Sequence, residues 1–139
     1  DLNIVLHSSK PKKLNNTDIY LVEKYDETKK FYQSSNIVFM GKSISGKGGQ
    51  NPLEAANLGS TVLHGPNVDN FKDTYKLLNK LKIAYKVNGV KSLTQSIDKL
   101  ITNPNNKKKY LKIAKIGKKI LNETKDEINS LFNNEIKKT

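Results

Sequence analysis

Residues 36–65 read NIVFMGKSISGKGGQNPLEAANLGSTVLHG. An apolar run, 37–40, passes into a loop carrying Gly46, Gly48 and Gly49. A short helical pattern follows from Pro52, and a second apolar run occupies 61–64. Short, uniformly apolar runs are expected of strands covered on both faces, as in a parallel sheet. Asn51 is a good N-cap, and Pro52 suits the first helical position. Gly59 stands where a left-handed residue closes a helix. Strand, glycine loop, helix and strand in succession make the repeating unit of an α/β domain.

The pattern extends in both directions. Upstream, 3–7 (NIVLH) reads as a strand, and 17–25 (TDIYLVEKY) as a second, with Ile19, Leu21 and Val22 expected to be buried. Residues 26–35 form a short helix with Phe31 and Tyr32 facing inward. Downstream, FKDTYKLLNKLK spaces Phe71, Tyr75, Leu78 and Leu81 along one helix face. IAYKV is a last short strand. SLTQSIDKLI is a helix with Leu93, Ile97 and either Leu100 or Ile101 inside. The chain from about Lys107 to Ile136 is helical, in two pieces near Asn122, with Tyr110, Ala114, Gly117 and Leu121 toward the sheet. This alternation predicts a Rossmann-like α/β fold, a parallel sheet flanked by helices, in a single domain over 1–139 with C-terminal helices. In such sheets ligands bind where strands give way to helices, and the glycine loop lies at one of those places.

Glycines in that loop permit positive φ and let a ligand approach backbone N–H groups. The helix start offers further unpaired amides, a seat for one phosphate. Glu54 has two readings: a carboxylate reaching back to the cap residue's N–H, or one accepting ribose hydroxyls beside a phosphate. The loop is not a P-loop, because Lys47 precedes Gly48 rather than Ser or Thr.

The 139 residues carry a formal net charge of +12, all of it from Lys, with no Arg. Lys is a point charge without the planar fork that grips phosphate or guanine in two places. Such a surface suits diffuse attraction to anionic lipid more than base readout, and no nucleic-acid partner is expected. Lys107, Lys108, Lys109, Lys112, Lys115, Lys118 and Lys119 make the densest cluster, either a solvated helix face or a patch for an anionic membrane surface. The absence of Cys excludes disulfides and thiolate metal sites. His7 and His64, far apart, are a poor basis for a metal site. No apolar run approaches the roughly 20 residues of a membrane span. A start at Asp1 leading straight into an apolar strand suggests part of something longer, or a processed chain.

The string NIVFMGKSISGKGGQNPLEAANLGSTVLHGPNVDNF resembles the C-terminal domain of 3-deoxy-D-manno-octulosonic acid (Kdo) transferases, glycosyltransferases of the GT-B fold. The matching residues are Gly41 and Ser43, Gly48-Gly49, Asn51-Pro52-Leu53-Glu54, Ala55-Ala56, Gly59, Gly65-Pro66 and Asn70-Phe71. Upstream, IYLVEKYDETKKFYQSS is similar to the preceding strand, loop and helix, with Glu27 on the family's acidic position. Four features depart from the family pattern: Gln50 for His, Lys42 for a second Gly, His64 for an apolar residue, and the loop 23–26 without Asp-Thr and Gly.

The resemblance implies transfer of Kdo from CMP-Kdo to a lipid A precursor at the cytoplasmic face of the bacterial inner membrane, in lipopolysaccharide synthesis. It implies two facing domains, the acceptor and the catalytic base belonging to an N-terminal one absent here. No catalytic residue, cofactor or metal is then expected in this chain. Gly48, Gly49 and Asn51 would line the donor phosphate and Glu54 the ribose. Gly65, Pro66 and Asn70 would shape the adjoining wall, Gly41 and Ser43 would also belong to the donor site, and Glu23 to Glu27 would lie near the base. Gln50 keeps hydrogen-bonding capacity but not acid–base chemistry near neutrality. The alternatives are a GT-B transferase using a UDP- or GDP-sugar and, in another class, a basic nucleic-acid-binding module.

Overall fold

The computed structural model describes residues 1–103 and 110–136. The chain folds as two compact units, 1–31 and 32–139.

The first unit holds a two-stranded parallel sheet, β1 (Ile4–Leu6) beside β2 (Ile19–Leu21), in register Ile4↔Ile19, Val5↔Tyr20 and Leu6↔Leu21. Alternation along the strands gives the two faces different fates. Val5 and Tyr20 are half-buried on one. Ile4, Leu6, Ile19 and Leu21 are exposed on the other, Ile4 at 56%. The expected burial of Ile19 and Leu21 is therefore corrected: within this unit only the Tyr20 side of the sheet is covered. His7, Tyr20 and Phe31 pack their rings at 5.6–6.1 Å between centroids. His7 Nε2 lies 2.8 Å from Glu27 Oε2, and His7 Nδ1 2.8 Å from the Tyr20 hydroxyl.

Helix α1 (Thr28–Ser34) carries the chain into the second unit. There β3 (Ile37–Met40), β4 (Thr61–His64) and β5 (Ala84–Lys86) form a parallel sheet in that order. The central β4 is buried along its whole length, as its apolar pattern predicts. β3 is an edge strand, so Phe39 is partly open to solvent.

Four helices follow the strands: α2 (Lys42–Ser45), α3 (Leu53–Asn57), α4 (Lys72–Lys80) and α5 (Val90–Thr102). The core lies between sheet and helices, built from Met40, Val62, Ala84, Ala55, Tyr75 and Leu78. α4 turns Tyr75 and Leu78 fully inward, as its spacing predicts. On α5, Leu93, Ile97 and Leu100 are half-buried, while Ile101 faces out.

α3 closes as a Schellman turn. Gly59 has φ +96, its N–H donates to Ala56 O at 3.1 Å, and Ser60 N–H donates to Ala55 O at 3.0 Å.

The last helix, α6 (Tyr110–Ile136), is continuous where a break near Asn122 is expected from sequence. It packs on α3, and Ile113 joins the core cluster. Ile113 is buried and Ile116 half-buried, whereas Ala114, Gly117 and Leu121 are exposed. The inward stripe is therefore rotated from the expected one toward the larger isoleucines, which bury more apolar surface per residue.

Truncating Leu78 to Ala removes a fully buried side chain from the centre of this core. The expected loss is about 2–5 kcal/mol of unfolding free energy, read as a lower urea midpoint at unchanged slope.

Candidate functional site

The carboxyl ends of β3 and β4 are joined by one buried serine. Ser43 is inaccessible to solvent; its hydroxyl donates to Met40 O and accepts the N–H of Gly65 at 2.6 Å. One turn on, Asn67 N–H donates to Ser43 O at 2.9 Å, and Asn67 Nδ2 donates to Ile44 O at 2.9 Å. The loop after β3 and the loop after β4 are thus laced together. Residues 42–45, expected as part of a glycine loop, are coiled as α2 to present these groups.

The glycines serve the same junction. Gly48 (φ +85) and Gly49 (φ +64) are both buried. A Cβ on Gly48 would meet the Asn70 side-chain nitrogen at 2.4 Å, and one on Gly49 would meet Asn67 O at 2.9 Å. At Gly65 it would meet Ser43 O at 2.3 Å. The space left by the missing side chains is filled by the facing loop. This corrects the expectation that those gaps admit a ligand. Ser43 is likewise buried, its hydroxyl held between Met40 O and the Gly65 N–H.

The accessible part of the site is what this packing displays. Gln50, Asn51 and Glu54 are exposed on one loop and helix, and Pro66 and Asn70 are exposed on the facing loop. Asn70 N–H donates to Gly48 O at 3.2 Å, tying the two together. Asn51 Oδ1 accepts the N–H of Leu53 at 3.0 Å and so performs the capping expected of it. Glu54 does not make the reach-back bond to Asn51; among the described residues no hydrogen bond or ion pair engages its carboxylate. The reach-back reading is therefore not met, and the Glu54 carboxylate is exposed. Gly41 is exposed at the end of β3, and Lys42 beside it is exposed as well.

Two tyrosines underlie the site, and neither is legible as a site residue in sequence. Tyr75, from α4, is buried, and its hydroxyl donates to Gln50 O at 2.8 Å. Burial, and secondarily the neighbouring Tyr32, pushes its pKa up to about 12. Tyr32 is also raised, first by burial and then by the charge of Glu54. The one available signal was Tyr rather than Phe at a position the helical spacing assigns to the core: a buried hydroxyl needs a partner. His64 packs its ring 4.4 Å from that of Tyr75. Its Nδ1 lies 2.7 Å from Gly65 O, which can only accept, so Nδ1 carries the proton and Nε2 accepts from Asn79 Nδ2 at 3.2 Å. Both ring nitrogens of His64 therefore have partners inside the protein.

Glu27 belongs to the first unit, where His7 and Lys30 occupy its carboxylate at 2.8 and 3.5 Å. Glu23, nearby in sequence, accepts from the Ser8 hydroxyl at 2.7 Å, which holds it below the usual carboxylate range. Lys107, Lys108 and Lys109 lie outside the described residues, as does the side chain of Lys112. Lys115, Lys118 and Lys119 are exposed on α6, Lys119 pairing with Glu123 at 3.6 Å. Among the described residues no three His, Asp or Glu side chains gather as a metal site.

With this geometry in hand, the comparisons are specific. A 3-deoxy-D-manno-octulosonic acid transferase from Rickettsia bellii is 27% identical over 139 residues, spanning 95% of this chain and 33% of the relative. The solved C-terminal CMP-Kdo binding domain of WaaA from Acinetobacter baumannii superposes with a TM-score of 0.72 at 19% identity, over 81% of this chain and 61% of that one. The chain is thus similar to a Kdo transferase over nearly its whole length. It shares with the WaaA domain the α/β fold of parallel strands flanked by helices, as expected from sequence. A bifunctional glycosyltransferase/methyltransferase from Fusobacterium nucleatum is 28% identical over 126 residues, 83% of this chain and 20% of that protein. The chain spans about a third or less of the length of the Kdo transferase and the bifunctional relative. No family model matches.

Two consequences of the site's packing are measurable. Gly65→Ala must displace Ser43, an overpacking cost of about 1–3 kcal/mol, whereas Gly41→Ala meets nothing within 4 Å and is expected to be near neutral in the same thermal melts. In the unfolded chain Tyr75 ionises near its ordinary value of 10, while the folded one holds its proton to about 12. The folded state then binds more protons across that window, so stability falls as pH rises through it. Tyr75→Phe is expected to flatten this part of the urea-stability profile.

Proposed function

We propose that this chain is the donor-binding domain of a glycosyltransferase that moves Kdo from CMP-Kdo to a lipid A precursor. The observation that carries the reading is the match to a Kdo transferase over 95% of the chain, joined to a shared fold with a CMP-Kdo binding domain. The exposed Gln50–Asn51 segment would meet the single donor phosphate through backbone and side-chain donors. Glu54, free of protein partners among the described residues, would accept the ribose hydroxyls. Gly48, Gly49, Ser43 and Gly65 would hold the two loops at the separation the donor requires, with Pro66 and Asn70 as the facing wall.

A catalytic carboxylate and the acceptor site would come from outside residues 1–139. Lys115, Lys118 and Lys119 would add attraction to an anionic leaflet of about 1 kcal/mol each, in keeping with a peripheral enzyme at the cytoplasmic face of the inner membrane.

Calorimetric titration of the chain with CMP tests the donor reading. Binding is expected, and Glu54→Ala is expected to weaken it about tenfold or more, the worth of hydrogen bonds to a charged group. Affinity unchanged by that substitution removes Glu54 from the ribose. UDP or GDP binding more tightly than CMP would favour the broader transferase class to which the Fusobacterium relative's name belongs.

A further inference from the structure

A trans peptide is planar, and its C=O and N–H point in opposite directions. The Gln50 carbonyl is turned inward, onto the buried hydroxyl of Tyr75 at 2.8 Å. The N–H of the same peptide, that of Asn51, must therefore point away from Tyr75 and the core beneath it. Both flanking residues are exposed, and among the described residues no acceptor pairs with the Asn51 amide. Its neighbour along the chain is treated differently: Leu53 N–H is taken by Asn51 Oδ1. One amide at this junction is satisfied internally, and one is held outward.

We propose that Tyr75 is a positioning residue for the donor site: its hydroxyl fixes the Gln50–Asn51 peptide so that the Asn51 N–H is presented to the donor phosphate. This rests on the donor-binding reading above. Tyr75 itself touches no ligand; it acts through the peptide it holds. The rest of its surroundings hold the ring in place. Tyr75 lies 1% exposed, its ring against His64, and His64 is fixed by Gly65 O and by Asn79. A phenol kept protonated well into alkaline solution is a permanent donor to that carbonyl. Phe at the same position would fill the core equally well but leave the peptide free to rotate.

The test compares wild type, Tyr75→Phe and Ile83→Val, the last a core trimming in a fully buried residue. Each is titrated with CMP while amide resonances are followed by nitrogen–proton NMR. In wild type the Asn51 amide is expected to shift downfield on saturation. Tyr75→Phe is expected to weaken CMP about five- to tenfold, as for loss of one ordered hydrogen bond, and to shrink the Asn51 response. Ile83→Val should leave both unchanged. Equal weakening in both variants would reduce Tyr75 to a packing role and overturn the proposal. So would a Tyr75→Phe protein that binds as wild type does, or a wild-type Asn51 amide that does not respond to bound CMP, a result that needs no variant to fold. If wild type binds no CMP at all, the donor reading itself fails and takes this inference with it.

Discussion

The site depends on a single buried hydroxyl. Ser43 donates its one hydroxyl proton and accepts one N–H, and with these two bonds it ties the end of β3 to the start of the loop after β4. Met40 O and Gly65 N–H are backbone groups that leave their strands at this point, and in a buried position each needs a partner. A hydroxyl both gives and accepts, so one small side chain meets the two needs. The bonds of Asn67 to Ser43 O and Ile44 O, and of Asn70 to Gly48 O, join the same two loops.

The glycines gain their meaning from that register. Positive φ at Gly48 and Gly49 would permit an open phosphate cradle as readily as a packed turn. The structure has the packed turn, with Asn70 and Asn67 filling the gaps. What remains outward is a narrow set of groups: Gln50, Asn51 and Glu54 opposite Pro66 and Asn70. That economy suits a ligand with one phosphate, because a single turn of chain offers few donors. It also explains how Gln50 is compatible with the site: its backbone carbonyl, rather than its side chain, is the atom the fold holds.

Much of this was readable in the amino acids, and the failures share a cause. The β4 strand, the α4 face and the Gly59 turn depend on local spacing, and each appears as read. α2 was hidden because Lys42–Ser45 is a single turn with no side-chain cap, and its reason to coil is a partner 22 residues away at Gly65. Ile19 and Leu21 look like core residues by hydropathy alone; exposure depends on what stands beside a sheet, which periodicity does not encode. α6 was rotated from its expected face because Ile113 and Ile116 outweigh Ala114 and Gly117 in what they bury. Helical spacing is enough to put Tyr75 in the core, but its hydroxyl's partner, Gln50, is 25 residues distant.

The interlocked loops also constrain how such a chain can vary. A methyl at position 65 needs a retreat of the backbone at 43, and any side chain at 48 needs a smaller residue, or a new rotamer, at 70. These positions cannot drift independently. Across descendants of this chain they should change in matched pairs or stay put, whatever happens to the lysines on the surface around them.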